Sequence, residues 1–297
     1  MKTAVIDKYE NLPEPPMPEG HWFFGNIKPV IKHPLNYYYQ VRKEFGNVVK
    51  MRALFGMQWY LVTSPEGTER ILQTNQANYR KPALVRKALG LVTGNGLVVS
   101  EGDFWRRQRR LMQPAFHRQR LFALGETMIT QTERMLARWE KTFARTGEAF
   151  DITGEMTDLT VRIAAQTLFS SDLSEAESER FARAMRAGFE YVGYRLLHPL
   201  AIPEFVPTPR NLRFKKARKV LDEVVRRIIE ERRRAPDADK NDLLAMLMSA
   251  RDEETGEMMD EKQLKDEVMT LLIAGHETTA ATLAWTWYLL AKNPSKA

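Results

Sequence analysis

The chain has no cysteine. That excludes disulfide bonds, cysteine-ligated zinc and thiol nucleophiles from anything these residues do alone. The absence fits a reducing compartment. A long apolar run is also missing from the start. In MKTAVIDKYENLPEPP only Ala4, Val5 and Ile6 stand together, whereas a secretory leader needs roughly 7–15 apolar residues. A cytoplasmic location is therefore expected, with no anchor at the start. Internal repeats and low-complexity tracts are lacking too, which excludes solenoids and propellers. Strand signals are scarce and confined to one place.

What is present is a globular composition. The 297 residues are 43% hydrophobic and 28% charged, enough for one large domain or two ordinary ones. The net charge of +7 favours anionic partners: nucleic acid, an acidic membrane or an acidic protein.

Pro13, Pro15, Pro16 and Pro18 make residues 1–33 a stiff, extended lead-in. A helix from Pro34 to Phe45 is closed by Gly46. NVVKMRAL and QWYLVT, separated by FGM, read as a β-hairpin over 47–63, with strands near 47–54 and 58–63. Ser64-Pro65-Glu66 then starts a helix. Further helices are expected near 66–75, 101–113, 118–145, 154–169, 174–193, 210–234, 241–251 and 260–292, with a polar linker at 235–241. The fold class is mainly α with a small β-sheet, residues 64–297 being mainly helical.

The last helix carries the oddest stretch, LLIAGHETTAATLAW at 271–285. Asp260 and Gln263 form a capping-box pattern at its start. A helix so long and apolar should cross the middle of a large domain. Yet its middle holds Gly275, His276, Glu277, Thr278 and Thr279. At 100° per residue, Ala274 and Thr278 nearly align, and Gly275 and Thr279 form the next row. The two rows make a flat stripe of small residues, suited to a planar ligand. His276 points to the opposite side. A buried Glu277 beside a hydroxyl suits proton delivery. Thr278 could instead bond back to the carbonyl of Ala274, as helical threonines do. Gly275 costs about 1 kcal/mol relative to alanine in a helix, so a close approach is expected there. A plain core helix is the bland alternative. A membrane anchor over 268–291 is disfavoured by Glu277 and the threonines.

SEGDFWRRQRRLMQPAFH, 100–117, reads as a short helix capped by Ser100, with Asp103 in its first turn and Pro114 at its end. Trp105 and Arg109 share a face and together suit a carboxylate. Arg106, Arg107 and Arg110 read either as a solvated face or as a docking patch for an acidic protein. No nucleic-acid-binding signature accompanies them, so no nucleic-acid partner is expected. Five histidines, His21, His33, His117, His198 and His276, are the available imidazoles. None has a readable supporting shell, so no metal ligand is assigned.

Taken together, AGHETT on a long helix resembles the oxygen-activating motif of the cytochromes P450. Trp105-x-x-x-Arg109 resembles the family's haem-propionate pair. GHWFFGN after the prolines, the hairpin followed by SPEGTERILQTN and NYRKP, GNGLVVSEGDFW and LLAKNPS agree with it. The resemblance covers roughly residues 12–297, and the chain is similar to soluble bacterial members, including fatty-acid hydroxylases.

It implies a P450-like fold, a haem, and a monooxygenase that inserts one atom of O2 into an apolar small molecule. Glu277 and Thr278 would manage protons. Trp105 and Arg109 would hold a propionate, Ala274 and Gly275 would pack on the porphyrin, and Val98 would face substrate. Electrons would come from NAD(P)H through an acidic ferredoxin- or flavodoxin-type donor docking near the arginines. In the family, the cysteine ligand and the Glu-x-x-Arg helix follow the central helix. The chain is therefore expected to be one incomplete domain, 1–297, lacking the C-terminal part and inactive alone. It should bind haem weakly or not at all and expose apolar surface on the central helix. The alternative is a truncated, non-enzymatic protein that binds apolar ligands or partners.

Overall fold

The computed structural model describes residues 13–116, 124–198, 201–234, 242–252 and 256–296. The expected linker at 235–241, His117 and the first twelve residues of the lead-in lie outside them. The chain divides into two compact units, Met1–Arg80 and Lys81–Ala297.

The first unit holds helices α1 (Ile27–Lys32) and α2 (Pro34–Phe45), strands β1 (Val48–Arg52) and β2 (Gln58–Val62), and α3 (Pro65–Glu69). The strands pair antiparallel, Val48 opposite Val62 and Met51 opposite Trp59. Each lies inside the stretch expected from sequence. Alternation puts Val49 and Met51 inward, where they meet Val41 of α2 and the rings of Tyr37, Tyr38 and Trp59. Ser64 caps α3 by accepting the Gly67 N–H. The helix expected over 66–75 is shorter, because residues 70–74 widen into a π turn.

Gly25-Asn26 in the lead-in has a structural purpose. Gly25 has φ +56°, and a Cβ there would run into the carbonyl of Arg52. Asn26 then pairs with the end of β1. Its N–H donates to Arg52 O at 2.7 Å, and its Oδ1 accepts the Arg52 N–H at 3.0 Å. Lys50 N–H donates to Pro16 O at 2.9 Å, so the proline segment also touches the outer edge of β1.

The second unit contains α4 (Ala83–Thr93), α5 (Gly102–Met112), α6 (Gly125–Thr146), α7 (Ile152–Phe169), α8 (Glu175–Leu197), α9 (Pro209–Arg234), α10 (Leu243–Ser249) and α11 (Glu261–Lys292). Seven of these eight lie where periodicity placed them. Helix α4 is not among those anticipated, since Gly90 and β-branched residues interrupt a weak helical pattern in ALVRKALGLVT. Tertiary packing supplies what propensity lacks. Ala88 and Val92 are buried in the main core with Phe181, Met185, Leu221, Val225, Leu244, Val268 and Leu272.

Helix α11 runs along α7, whose small residues Thr160, Val161, Ala164 and Ala165 are buried at the contact. Asp260 caps α11 by accepting the Gln263 N–H at 2.7 Å. The far end of α11 leaves Trp285, Trp287, Tyr288 and Leu289 exposed. This is the apolar exposure expected of the central helix. Among the described residues no helix is long and apolar enough to cross a membrane.

Candidate functional site

The polar stretch of α11 divides by face. His276 is fully buried against α7 and α8: its ring meets that of Phe181 edge-on at 5.7 Å, and its carbonyl lies 3.2 Å from the Thr160 hydroxyl. Its Nδ1 sits 2.8 Å from Leu272 O. Burial holds the imidazole below its ordinary pKa. This is a structural histidine, pointing away from the stripe as the helical angle requires.

Ala274, Glu277, Thr278 and Thr279 are all exposed. The acid anticipated as buried is therefore in solvent here. Half of the Glu277 side chain is accessible (51%), and its Oε2 lies 3.6 Å from His276 Nε2. The reason is that no described element lies over this half of the face. Thr278 Oγ1 donates to Ala274 O at 3.2 Å, Thr279 Oγ1 to Gly275 O at 3.2 Å, and Thr282 Oγ1 to Thr278 O at 2.8 Å. The back-bonding open from sequence is thus what the helix adopts. Each hydroxyl, its proton so engaged, keeps its capacity to accept.

Gly275 behaves differently from its row. A Cβ there would point at α7, 3.4 Å from Ala164 Cβ and 3.6 Å from Leu168 Cδ1. These are ordinary contacts, so α7 does not demand a glycine. The close approach expected of Gly275 is absent among the described residues.

On α5, Trp105 is half-buried and Arg109 exposed. The guanidinium carbon lies 5.5 Å from the indole centroid, so the i,i+4 spacing does bring the two together. Among the described residues no carboxylate pairs with Arg109 and nothing accepts from the Trp105 indole N–H. Two donors, one cationic, are thus free for an anionic oxygen, and the pair fits a carboxylate such as a haem propionate. Small exposed Ala274 and Thr278 likewise fit a planar ring. Among the described residues no group of three His, Asp or Glu could hold a metal ion.

The docking patch fares worse. Only Arg106 projects freely, paired with exposed Asp103 at 3.1 Å. Arg110 pairs with Asp252 at 2.7 Å, and Arg107 lies 3.6 Å from the same carboxylate. Arg107 also donates to Met258 O at 3.3 Å. The Asp252 side chain is only 1% exposed. Two of the three arginines therefore neutralise a buried acid, which is the physical reason they are clustered. Ser100 does not cap α5 either. Glu101 occupies that position and accepts the Lys81 N–H instead.

The loop of residues 94–100 carries Val98, whose side chain is exposed. Sequence reasoning missed what holds this loop. Asp266 Oδ2 accepts the Asn95 N–H at 2.8 Å. Glu267 Oε2 accepts the Leu97 N–H at 2.9 Å. Lys81 Nζ donates to Ser100 O at 2.9 Å and to Leu97 O at 3.3 Å. Glu267 is fully buried. Burial raises its pKa to about 7; the Leu97 N–H opposes the shift and the charge of Asp266 adds to it. In sequence nothing sets the Asp-Glu pair apart from the charged start of the helix, EKQLKDE.

A family model described as cytochrome P450 matches residues 15–296. Cyclooctatin synthase of Streptomyces melanosporofaciens is 33% identical over 99% of this chain and 62% of its own length. Cyclooctat-9-en-7-ol 5-monooxygenase of the same organism is 36% identical over 84% of this chain and 52% of its own. Pentalenene oxygenase of Streptomyces avermitilis is 32% identical over 91% and 58%. The chain thus spans between about half and three fifths of the length of these relatives.

Proposed function

The chain belongs to the cytochrome P450 family, and on that premise we propose that it forms the N-terminal part of a haem-thiolate monooxygenase. The reaction would convert an apolar substrate R–H, O2, two electrons and two protons into R–OH and water. The observation that carries this reading is the exposed Ala274–Thr278 row, with Glu277 beside it, on a helix whose opposite face is core. The relatives' names, which refer to cyclooctat-9-en-7-ol and pentalenene, support an apolar substrate. Electrons would come from NAD(P)H through an acidic ferredoxin- or flavodoxin-type donor. Of the three arginines first considered for docking, Arg106 alone remains free to take part.

Haem, held by a thiolate that this cysteine-free chain does not contain, would supply the reduction of O2 and the transfer of one oxygen atom. The residues present divide the remaining work. Trp105 and Arg109 would hold a propionate by an indole N–H and a guanidinium. Ala274 and Gly275 would let the porphyrin lie close to α11. Glu277, open to water, would exchange protons with solvent. Thr278 already donates to Ala274 O, so its oxygen can accept from a water that Glu277 recharges. Val98 would meet the substrate.

The test is Thr278→Ala in the haem-loaded enzyme completed with its C-terminal part. Its hydroxyl is exposed and satisfied by its own helix, so folding and haem uptake should be unchanged. Hydrogen peroxide released per NAD(P)H consumed should rise, and product should fall. Unchanged coupling would remove Thr278 from proton delivery.

A further inference from the structure

The 94–100 loop is gripped at both electrical poles. Its amides at Asn95 and Leu97 meet the carboxylates of Asp266 and Glu267. Its carbonyls at Leu97 and Ser100 meet the ammonium of Lys81. The glycines make the fit possible. Gly94 has φ +63°, and a Cβ there would overlap the Asp266 carboxylate. A Cβ on Gly96 would overlap the Thr270 hydroxyl and sit 2.7 Å from Asp266 O. The loop therefore lies on the surface of α11 with no room for a side chain between them.

The face it lies on is the one that matters. At 100° per residue, Glu267, Thr270, Ala274 and Thr278 fall within about 80° of one another. The loop covers the first two, which are buried, and stops one turn before Ala274, which is exposed. Val98, within the loop, is exposed. A buried carboxylate with one hydrogen bond is costly. Among the described residues Glu267 Oε1 has no partner. A neutral or apolar residue would make a more stable helix there, so the core alone does not account for this acid.

We propose that Glu267 and Asp266 are specificity-determining positioning residues. By docking the 94–100 loop on α11 they set where Val98 stands relative to the Ala274–Thr278 row, and so which ligands fit beside it. This deepens the haem-monooxygenase reading and rests on it. Neither acid touches the ligand; both act through the loop.

Two measurements test it. The first is residue-resolved amide hydrogen exchange on the chain as it is. Glu267→Leu should speed exchange at Leu97 about tenfold or more, the loss of one charge-assisted bond, and spare the amides of α8. Asp266→Ala should do the same at Asn95. Glu267→Gln, which keeps an acceptor, should restore protection at Leu97. The second is the ratio of dissociation constants for imidazole and 4-phenylimidazole in the haem-loaded protein completed with its C-terminal part, read from the Soret shift. Glu267→Leu should change that ratio at least about fivefold, and Gly96→Ala, which lifts the loop while keeping both carboxylates, should change it likewise. Unchanged exchange at Leu97 and Asn95 would overturn the docking role. Altered exchange with an unchanged ratio would overturn the role in specificity. Should the protein completed with its C-terminal part take up no haem, the function and the specificity role fall together, while the exchange result still decides whether the acids dock the loop.

Discussion

Replacing Glu267 by glutamine should change how stability depends on pH, and the structure fixes the sign. The folded chain holds the Glu267 proton up to about pH 7, whereas an unfolded carboxyl releases it near 4.5. Between those values the folded state binds more protons. Folding stability is therefore fully supported by this group below about pH 4.5 and is lost as pH rises through 7. At about 1.36 kcal/mol per pH unit, the whole loss is roughly 3 kcal/mol. Glu267→Gln removes that slope. The variant should match the parent near pH 4.5 and exceed it by roughly 3 kcal/mol near pH 8, the Leu97 hydrogen bond being already contained in the raised pKa. Urea unfolding of both proteins at low protein concentration, from pH 4 to 8.5, gives the difference curve. His276 contributes with the opposite sign. Its imidazole is held below the ordinary value of 6.5, so its stabilisation is present above that pH and lost as pH falls through the folded value. Both proteins share it, and it cancels in the difference. Parallel stability curves would refute the reasoning and leave Glu267 an ordinary carboxylate.

Two other substitutions separate structural charges from free ones and test the lead-in. Asp252→Ala removes the buried carboxylate that Arg107 and Arg110 share and should cost about 1–3 kcal/mol in chemical denaturation, whereas Arg106→Glu should stay within about 0.5 kcal/mol; equal effects would return all three arginines to one solvated face. Gly25→Ala forces a Cβ into the Arg52 carbonyl at positive φ and should lower the stability of the Met1–Arg80 unit by about 1–3 kcal/mol, seen as faster amide exchange in β1; unchanged exchange at Arg52 would refute the packing argument.

Most of the helices were legible because periodicity and caps are local. Asp260 with Gln263, Ser64 with Pro65, and the hairpin's β-branched runs are each decided within a few residues. So were the face assignments on α11. The opposition of His276 to Thr278, and the pairing of Trp105 with Arg109, follow from 100° per residue before any packing is known. Tertiary structure decided the rest, because partners far apart in sequence compete for the same groups. Arg107 and Arg110 read as a free basic face until Asp252, more than a hundred residues later, took both. Ser100 lost its capping position to Glu101. Helix α4 exists because the core accepts Ala88 and Val92, not because its sequence insists. Asp266 and Glu267 end the charged stretch EKQLKDE like acids of a solvated helix start. A loop 170 and 171 residues away covers them and gives them amides to hold. The dielectric around a carboxyl is set by what lies over it, and that is a property of the folded neighbourhood, which the local sequence does not encode.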